Sequence, residues 1–205
     1  PLQTTASFAR TLDQVIALRP DRIALYAYAH LPERFKPQRR IDSALLPQAA
    51  IKIAMHSQSI AQLMNAGYDY IGMDHFALQS DSLAIAKRQG LLHRNFQGYS
   101  TQAECDMISL GVSAIGKMGS TYSQNAKTLD EYYDALDRGY LPIVKGLSLT
   151  HDDVLRRTVI MSIMCQGRVD YEPIELGYLI KFEKYFAKEL EQLEKFQTDE
   201  MLVLT

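Results

Sequence analysis

Tryptophan is absent from this 205-residue chain and cysteine occurs only twice. No apolar run approaches the roughly 20 residues that a bilayer-spanning helix requires. No signal-peptide pattern precedes the first helix either, so a cytoplasmic location is expected. Cys105 and Cys165 lie far apart, with neither a C-x-x-C nor a Cys/His ligand spacing. They read as ordinary reduced thiols, and no structural zinc or cysteine-bound cluster follows from them. Neither sign of charge dominates: 22 Lys and Arg against 24 Asp and Glu leave a net charge of −2. That balance supplies no electrostatic reason for a nucleic-acid or anionic-membrane partner. Repeats and low-complexity tracts are lacking too. There is no initiating Met: the chain opens Pro1-Leu2-Gln3 and stops on Met201-Leu202-Val203-Leu204-Thr205, which reads as a strand cut short. Part of a longer protein is expected.

What is present suffices for a core, since 47% of the residues are apolar. Thr4 and Thr5 are placed to cap a helix with Phe8, Leu12, Val15 and Ile16 on one face and Pro20 as its stop. Ile23 to Tyr28 is apolar on both alternating faces, the pattern of a buried parallel strand, and helix followed by such a strand is α/β grammar. Ligands of parallel α/β sheets sit beyond the carboxyl ends of strands, which would put Ala29 and His30 at a site. A helix from about Pro47, with Ile53, Ile60, Leu63 and Met64 on one face, is expected to end at Gly67. A strand over 68–71, a short helix over 82–89 and a strand over 94–101 follow, and Gly111, Gly116 and Gly119 punctuate a flexible segment. Beyond Ser120 the character becomes helical. Thr128 starts one helix, Thr150 with Asp153 forms a capping box for a second, and Leu179, Phe182, Phe186, Leu190 and Leu193 mark a third. The final strand would suit one wing of a winged-helix fold. From Asp170 onward, however, nine acidic residues face four lysines, which argues against DNA.

The chemistry-bearing residues gather in two turns, Gly72-Met73-Asp74-His75-Phe76-Ala77 and His93-Arg94-Asn95-Phe96-Gln97-Gly98-Tyr99. Histidine titrates nearest neutrality and is the commonest metal ligand. Asp74 and His75, being adjacent in an extended segment, point to opposite faces and share a metal poorly. His75 as a hydrogen-bonder to a carboxylate and His75 in a structural hydrogen bond both stay open. His30, His75 and His93 match no named metal motif, and His56 and His151 read as surface residues. Gln97 between an aromatic and a glycine is a plausible partner for an amino-carboxylate or an adenine edge. A strand residue facing solvent is the bland alternative.

These two turns, with Tyr28-Ala29-His30-Leu31-Pro32 before them and Leu110-Gly111-Val112-Ser113-Ala114-Ile115-Gly116 after, strongly resemble the oxygen-independent coproporphyrinogen III oxidases, radical S-adenosylmethionine enzymes of haem biosynthesis. The resemblance implies the last elements of a partial, three-quarter TIM-like barrel over residues 1–119 and a mostly helical, winged-helix-like C-terminal domain over 120–205. It implies a 4Fe–4S cluster on a C-x-x-x-C-x-x-C loop and a glycine-rich segment, both expected before Pro1 and neither in this chain. It also implies S-adenosylmethionine contacts by Ala29, Gln97 and Ile115, the first and last through main-chain groups. Oxidative decarboxylation of two propionates of coproporphyrinogen III to vinyl groups, giving protoporphyrinogen IX, is the implied reaction, with an electron donor to the cluster as partner. His75, Arg94 and His93 are the candidates to face the substrate carboxylates. No cofactor is expected to stay on this chain alone, and self-association through an uncovered barrel strand is expected. Haem chaperones of the same superfamily carry a shorter Ser-Asn type turn where this chain has Gly-Met-Asp-His-Phe-Ala. A haem chaperone is the first alternative, and an unrelated metal-dependent hydrolase using His30, His75 and His93 is the second.

Overall fold

Thr4 sets the first helix in place. Its hydroxyl accepts from the amide of Ser7 while the Ser7 hydroxyl accepts from the amide of Thr4, so two unpaired donors are satisfied at once. The helix, α1 (Thr5–Leu18), ends where Arg19 turns left-handed ahead of Pro20. In this computed structural model, residues 1–103 and 105–203 are described. The chain divides into two compact units, Pro1–Ala103 and Glu104–Thr205.

In the first unit, β1 (Arg22–Ala24) follows α1, and short 3-10 turns at Lys36–Arg40 and Ser43–Leu45 lead to α2 (Ala49–Asn65). Next come β2 (Tyr68–Gly72), β3 (His75–Leu78), α3 (Ser82–Arg88), β4 (His93–Asn95) and β5 (Gly98–Ser100). The sheet order is β1-β3-β2 and both pairings are antiparallel. The parallel strand expected over Ile23 to Tyr28 is therefore corrected: only its first residues pair, and Tyr26, Ala27 and Tyr28 lie exposed in irregular chain. Two faces of apolar side chains suit a doubly covered strand, yet they equally suit a segment whose tyrosines point at a site. The strand expected over 94–101 is a hairpin folded about Phe96 and Gln97, since Asn95 pairs with Gly98. Leu63, Tyr68 and Phe76 form the core, with Ile16, Ile23, Leu25 and Ile60 packed on it. Burial of such side chains stabilises the fold by about 1.5–3 kcal/mol each. On α2 the buried residues are Met55, Ser59 and Leu63, while Ile53 and Met64 are exposed, so the buried face is rotated from the expected one.

The second unit holds a sheet that the sequence reading misses. Strands β6 (Ile115–Met118), β7 (Thr121–Asn125) and β8 (Ile143–Ser148) pair antiparallel in that order, with α4 (Leu129–Asp137) between β7 and β8. Then come α5 (His151–Gln166), α6 (Tyr171–Tyr178), α7 (Phe182–Tyr185) and α8 (Ala187–Thr198). The single helix expected around Leu179 to Leu193 is thus divided. Leu179 adopts φ 54° and is 92% exposed, and Phe186 leaves helical geometry between α7 and α8. Leu155, Ile174, Phe182 and Phe186 form the core that the break makes possible, because the kinked path brings both phenylalanines back onto α5. Residues 201–203 form no strand, so the expected wing is missing from them, and Leu204 and Thr205 lie outside the described residues. Among the described residues no helix is long and apolar enough to cross a membrane.

Candidate functional site

The site begins with backbone strain. Gly72 pairs with His75, which leaves Met73 and Asp74 as a two-residue turn with φ 40° and 64°, and Ile71 bulges just before it. Such tight hairpins favour Asn-Gly because both central residues need positive φ. Met and Asp in those places cost about 1–3 kcal/mol each, so the surroundings must hold the turn. They do so at Asp74 in three ways. Its carbonyl accepts from the amide of Leu25 at 2.9 Å, its amide donates to the Tyr70 hydroxyl at 3.3 Å, and its Oδ1 accepts from His56 Nε2 at 2.6 Å.

This turn aims His75. The Met73 carbonyl lies 2.8 Å from His75 Nδ1, and a carbonyl only accepts, so Nδ1 carries the proton. In the neutral ring Nε2 is then the acceptor for the Tyr26 hydroxyl at 2.9 Å. Tyr26 and Tyr99 each meet the His75 ring edge to face, at 5.5 and 5.3 Å between centroids. Tyr99 is the cross-strand partner of Arg94, whose guanidinium lies 4.9 Å from the Tyr99 ring centroid. Among the described residues the buried Arg94 Nη1 has no hydrogen-bond partner. Beside this layer Lys87 Nζ donates to the Tyr70 carbonyl at 2.6 Å, and burial lowers its pKa against the opposing pull of Asp69. The result is an aromatic shelf with one guanidinium and an imidazole edge, a surface suited to a flat, carboxylate-bearing ligand.

Of the residues singled out in the sequence, His75 and Arg94 are thus brought together through Tyr99. Gln97 caps the same hairpin: its amide donates to Asn95 Oδ1 at 2.9 Å, and its side chain is exposed and makes no hydrogen bond among the described residues. Gly98 runs close by, and a Cβ there would lie 3.9 Å from His75 Nε2. His93 alternates with Arg94 along β4 and so occupies the opposite face of the hairpin. Ala29 is exposed, and its carbonyl accepts from Gln38 Nε2 at 3.2 Å. The His30 Nδ1 meets the Tyr28 hydroxyl at 3.2 Å. Among the described residues no three His, Cys, Asp or Glu side chains gather as a metal site.

Ile115 belongs to the second unit, where it opens β6 with its carbonyl accepting from Ser109 Oγ at 2.6 Å. The flexible segment expected around it is corrected to a held one. Asn125 is buried and donates from Nδ2 to the carbonyls of Ser109 and Gly111, and Gly116 is packed against the Met107 carbonyl and Ser123 Oγ.

His56 is the principal residue that sequence reasoning misplaces. It reads as a surface histidine, but its hydrogen bond to Asp74 joins α2 to the turn. Helical periodicity puts His56 only at the edge of the buried stripe of Met55, Ser59 and Leu63, and its meeting with a carboxylate from the turn is a long-range contact. Tyr26 and Tyr99 were hidden in segments read as ordinary strands.

No protein-family model matches the chain. Known proteins do. The chain is 50% identical over 204 residues to the oxygen-independent coproporphyrinogen III oxidase of Pseudomonas aeruginosa, which takes in all of this chain and 44% of that protein. It is 47% identical over 199 residues to the enzyme of the same name from Escherichia coli, with 97% of this chain and 44% of that protein covered. With the one from Thermostichus vulcanus it shares 42% over 205 residues and 63% of that protein's length. The solved structure of coproporphyrinogen III oxidase (HemN) from Escherichia coli, described as a radical SAM enzyme, superposes with a TM-score of 0.97 at 45% identity, over the whole of this chain and 47% of that one. The likeness carried by the motifs therefore runs the length of the chain, and the chain spans under half the length of the Pseudomonas and Escherichia relatives.

Proposed function

We propose that this chain, similar from end to end to one part of the oxygen-independent coproporphyrinogen III oxidases, is the C-terminal part of such an enzyme. On this reading its earlier residues complete a three-quarter barrel and its later ones form a winged-helix-like domain. The whole protein decarboxylates two propionates of coproporphyrinogen III in the cytoplasm, served by an electron donor and without nucleic acid or membrane. The observation that carries the reading at residue level is Arg94. A guanidinium nitrogen buried without a partner among the described residues calls for an anion, and the aromatic layer of Tyr99, His75 and Tyr26 suits the macrocycle that bears the carboxylates.

S-adenosylmethionine fits the other half of the hairpin. The uncommitted amide of Gln97, with main-chain groups of Ala29, would hold its polar atoms, and when bound it supplies a radical able to take hydrogen from a propionate. Ile115 is the third contact that the family resemblance implies. Cys105 is exposed and Cys165 buried, and the pair does not fit the ligand set of a 4Fe–4S cluster. What this chain contributes is binding and orientation. Arg94 fixes a carboxylate, and His75 faces one through Nε2, which can donate only once it takes a proton and gives up the Tyr26 hydroxyl as donor. His93 is a further carboxylate candidate, and Gln97 fixes the cofactor. The chain by itself self-associates through surfaces such as the exposed Tyr26 and Tyr28.

The test uses the complete enzyme carrying this chain. Gln97→Ala removes one or two hydrogen bonds of about 0.5–1.5 kcal/mol each, so S-adenosylmethionine should bind about tenfold more weakly or worse, with turnover falling further. Arg94→Met should raise KM for the porphyrinogen while leaving cofactor affinity intact. Gln58→Ala, on the exposed face of α2, is the control. Wild-type affinity and turnover in both site variants would remove this assignment.

A further inference from the structure

The hydrogen bond between His56 and Asp74 has the outline of an ordinary surface contact, with both side chains about a third or more exposed. Its position is not ordinary. Asp74 is one of two left-handed residues that the hairpin turn cannot adopt without strain, and the other, Met73, supplies the carbonyl that fixes the proton on His75 Nδ1. Whatever holds Asp74 in place thereby sets the direction of that carbonyl. Two of the three holds on Asp74 are made by its main chain, to Leu25 and to Tyr70, and would tolerate a rotated side chain. The third comes from α2, which the core of Leu63 and Tyr68 anchors, and it is the shortest at 2.6 Å.

We propose that His56 is a positioning residue: through Asp74 it locks the strained turn, so that the Met73 carbonyl keeps His75 in one tautomer with Nε2 directed at the Tyr26 hydroxyl. The geometry of the lock stands on the contacts alone. Its bearing on turnover rests on the proposed role of His75 toward the substrate. A carboxylate only accepts, so Nε2 of His56 donates, and the side chain can be replaced by another N–H donor of suitable reach. The lock is thus distinct from a pair that contributes charge alone, because glutamine should serve in place of histidine.

The test is nitrogen-15 NMR of the histidine rings in the chain Pro1–Thr205, recorded at about pH 8, above the usual histidine range. The wild-type His75 ring should show a protonated Nδ1 and an unprotonated Nε2. In His56→Ala that single pattern should give way to a mixture of tautomers with the melting curve retained, and His56→Gln should restore it. In the complete enzyme His56→Ala should lower kcat about tenfold or more with KM little changed, and His56→Gln should recover most of the loss. An unaltered His75 pattern in a folded His56→Ala protein overturns the proposal. If His56→Ala does not fold, His56→Gln decides alone: the wild-type pattern supports the lock and its loss overturns it. A pattern that depends on His56 while turnover does not would keep the lock and instead overturn the role given to His75.

Discussion

At the scale of single residues, the structure is decided by a few positions where backbone or proton placement leaves no freedom. Gly116 is one. A Cβ built there would lie 3.0 Å from the Met107 carbonyl and 3.1 Å from Ser123 Oγ, and the first of these is backbone that has to stay for the Met107–Lys117 bridge. Gly116→Ala should therefore destabilise the second unit by about 1–3 kcal/mol, read as a lower urea midpoint at unchanged slope. An unchanged midpoint would mean that the Met107 segment yields freely. In the sequence this glycine reads as a mark of flexibility, whereas its use is close packing. His56 was misread for a related reason: helical periodicity places it beside the buried stripe, yet no local signal says that a carboxylate from a turn 18 residues later will meet it.

At the scale of elements, local chemistry and long-range pairing divide the work. Helix starts follow capping side chains, as at Thr4, Thr128 and Thr150, and all three were legible in the sequence. The strands were legible where they are short and bounded by glycine, as in β2. They were not legible where a single apolar run or an alternating run is used for something else. The bundle α5–α8 is tied by Arg156, which donates to Asp152 on its own helix and to Glu189 on α8 at 2.8 and 2.6 Å. Hydrogen bonds from Tyr185 and then Arg156 hold the Asp152 carboxyl below its ordinary range, and that from Arg156 does the same for Glu189. Groups whose pKa is depressed on folding add stability that is complete above the unfolded carboxylate range and lost as the pH falls through the folded values. The bundle should accordingly melt at lower temperature as the pH drops from about 5 to about 3. Arg156→Met should melt lower at neutral pH and lose less on acidification. Equal acid sensitivity in the variant and the parent would exclude this pair of contacts as the cause.

At the scale of the whole molecule, each unit has a core of its own, Leu63 with Tyr68 and Phe76 in the first, Leu155 with Ile174, Phe182 and Phe186 in the second. Leu63→Ala and Leu155→Ala should each cost about 2–5 kcal/mol. Hydrogen exchange should speed up in β2 and β3 for the first variant and in α5 to α8 for the second. Uniform loss of protection across both units in either variant would contradict separate cores. Anaerobic reconstitution with iron and sulfide should leave this chain without stable cluster absorbance, because its two cysteines cannot supply a ligand set, and a stoichiometric, oxygen-sensitive chromophore would refute that. The sequence by itself determined the helix caps, the glycine-ended strand β2, the two polar turns and the likeness to the coproporphyrinogen III oxidases, since all of these are written in residues close along the chain. Only the tertiary structure decided that Tyr26 and Tyr99 flank His75, that Arg94 lies on Tyr99 with a nitrogen unpaired among the described residues, that β7 and β8 extend a sheet, and that His56 holds Asp74. Apart from the Arg94–Tyr99 contact within one hairpin, those contacts join segments 18 or more residues apart, and their geometry depends on the sheet register and the path of the backbone, which local pattern does not specify.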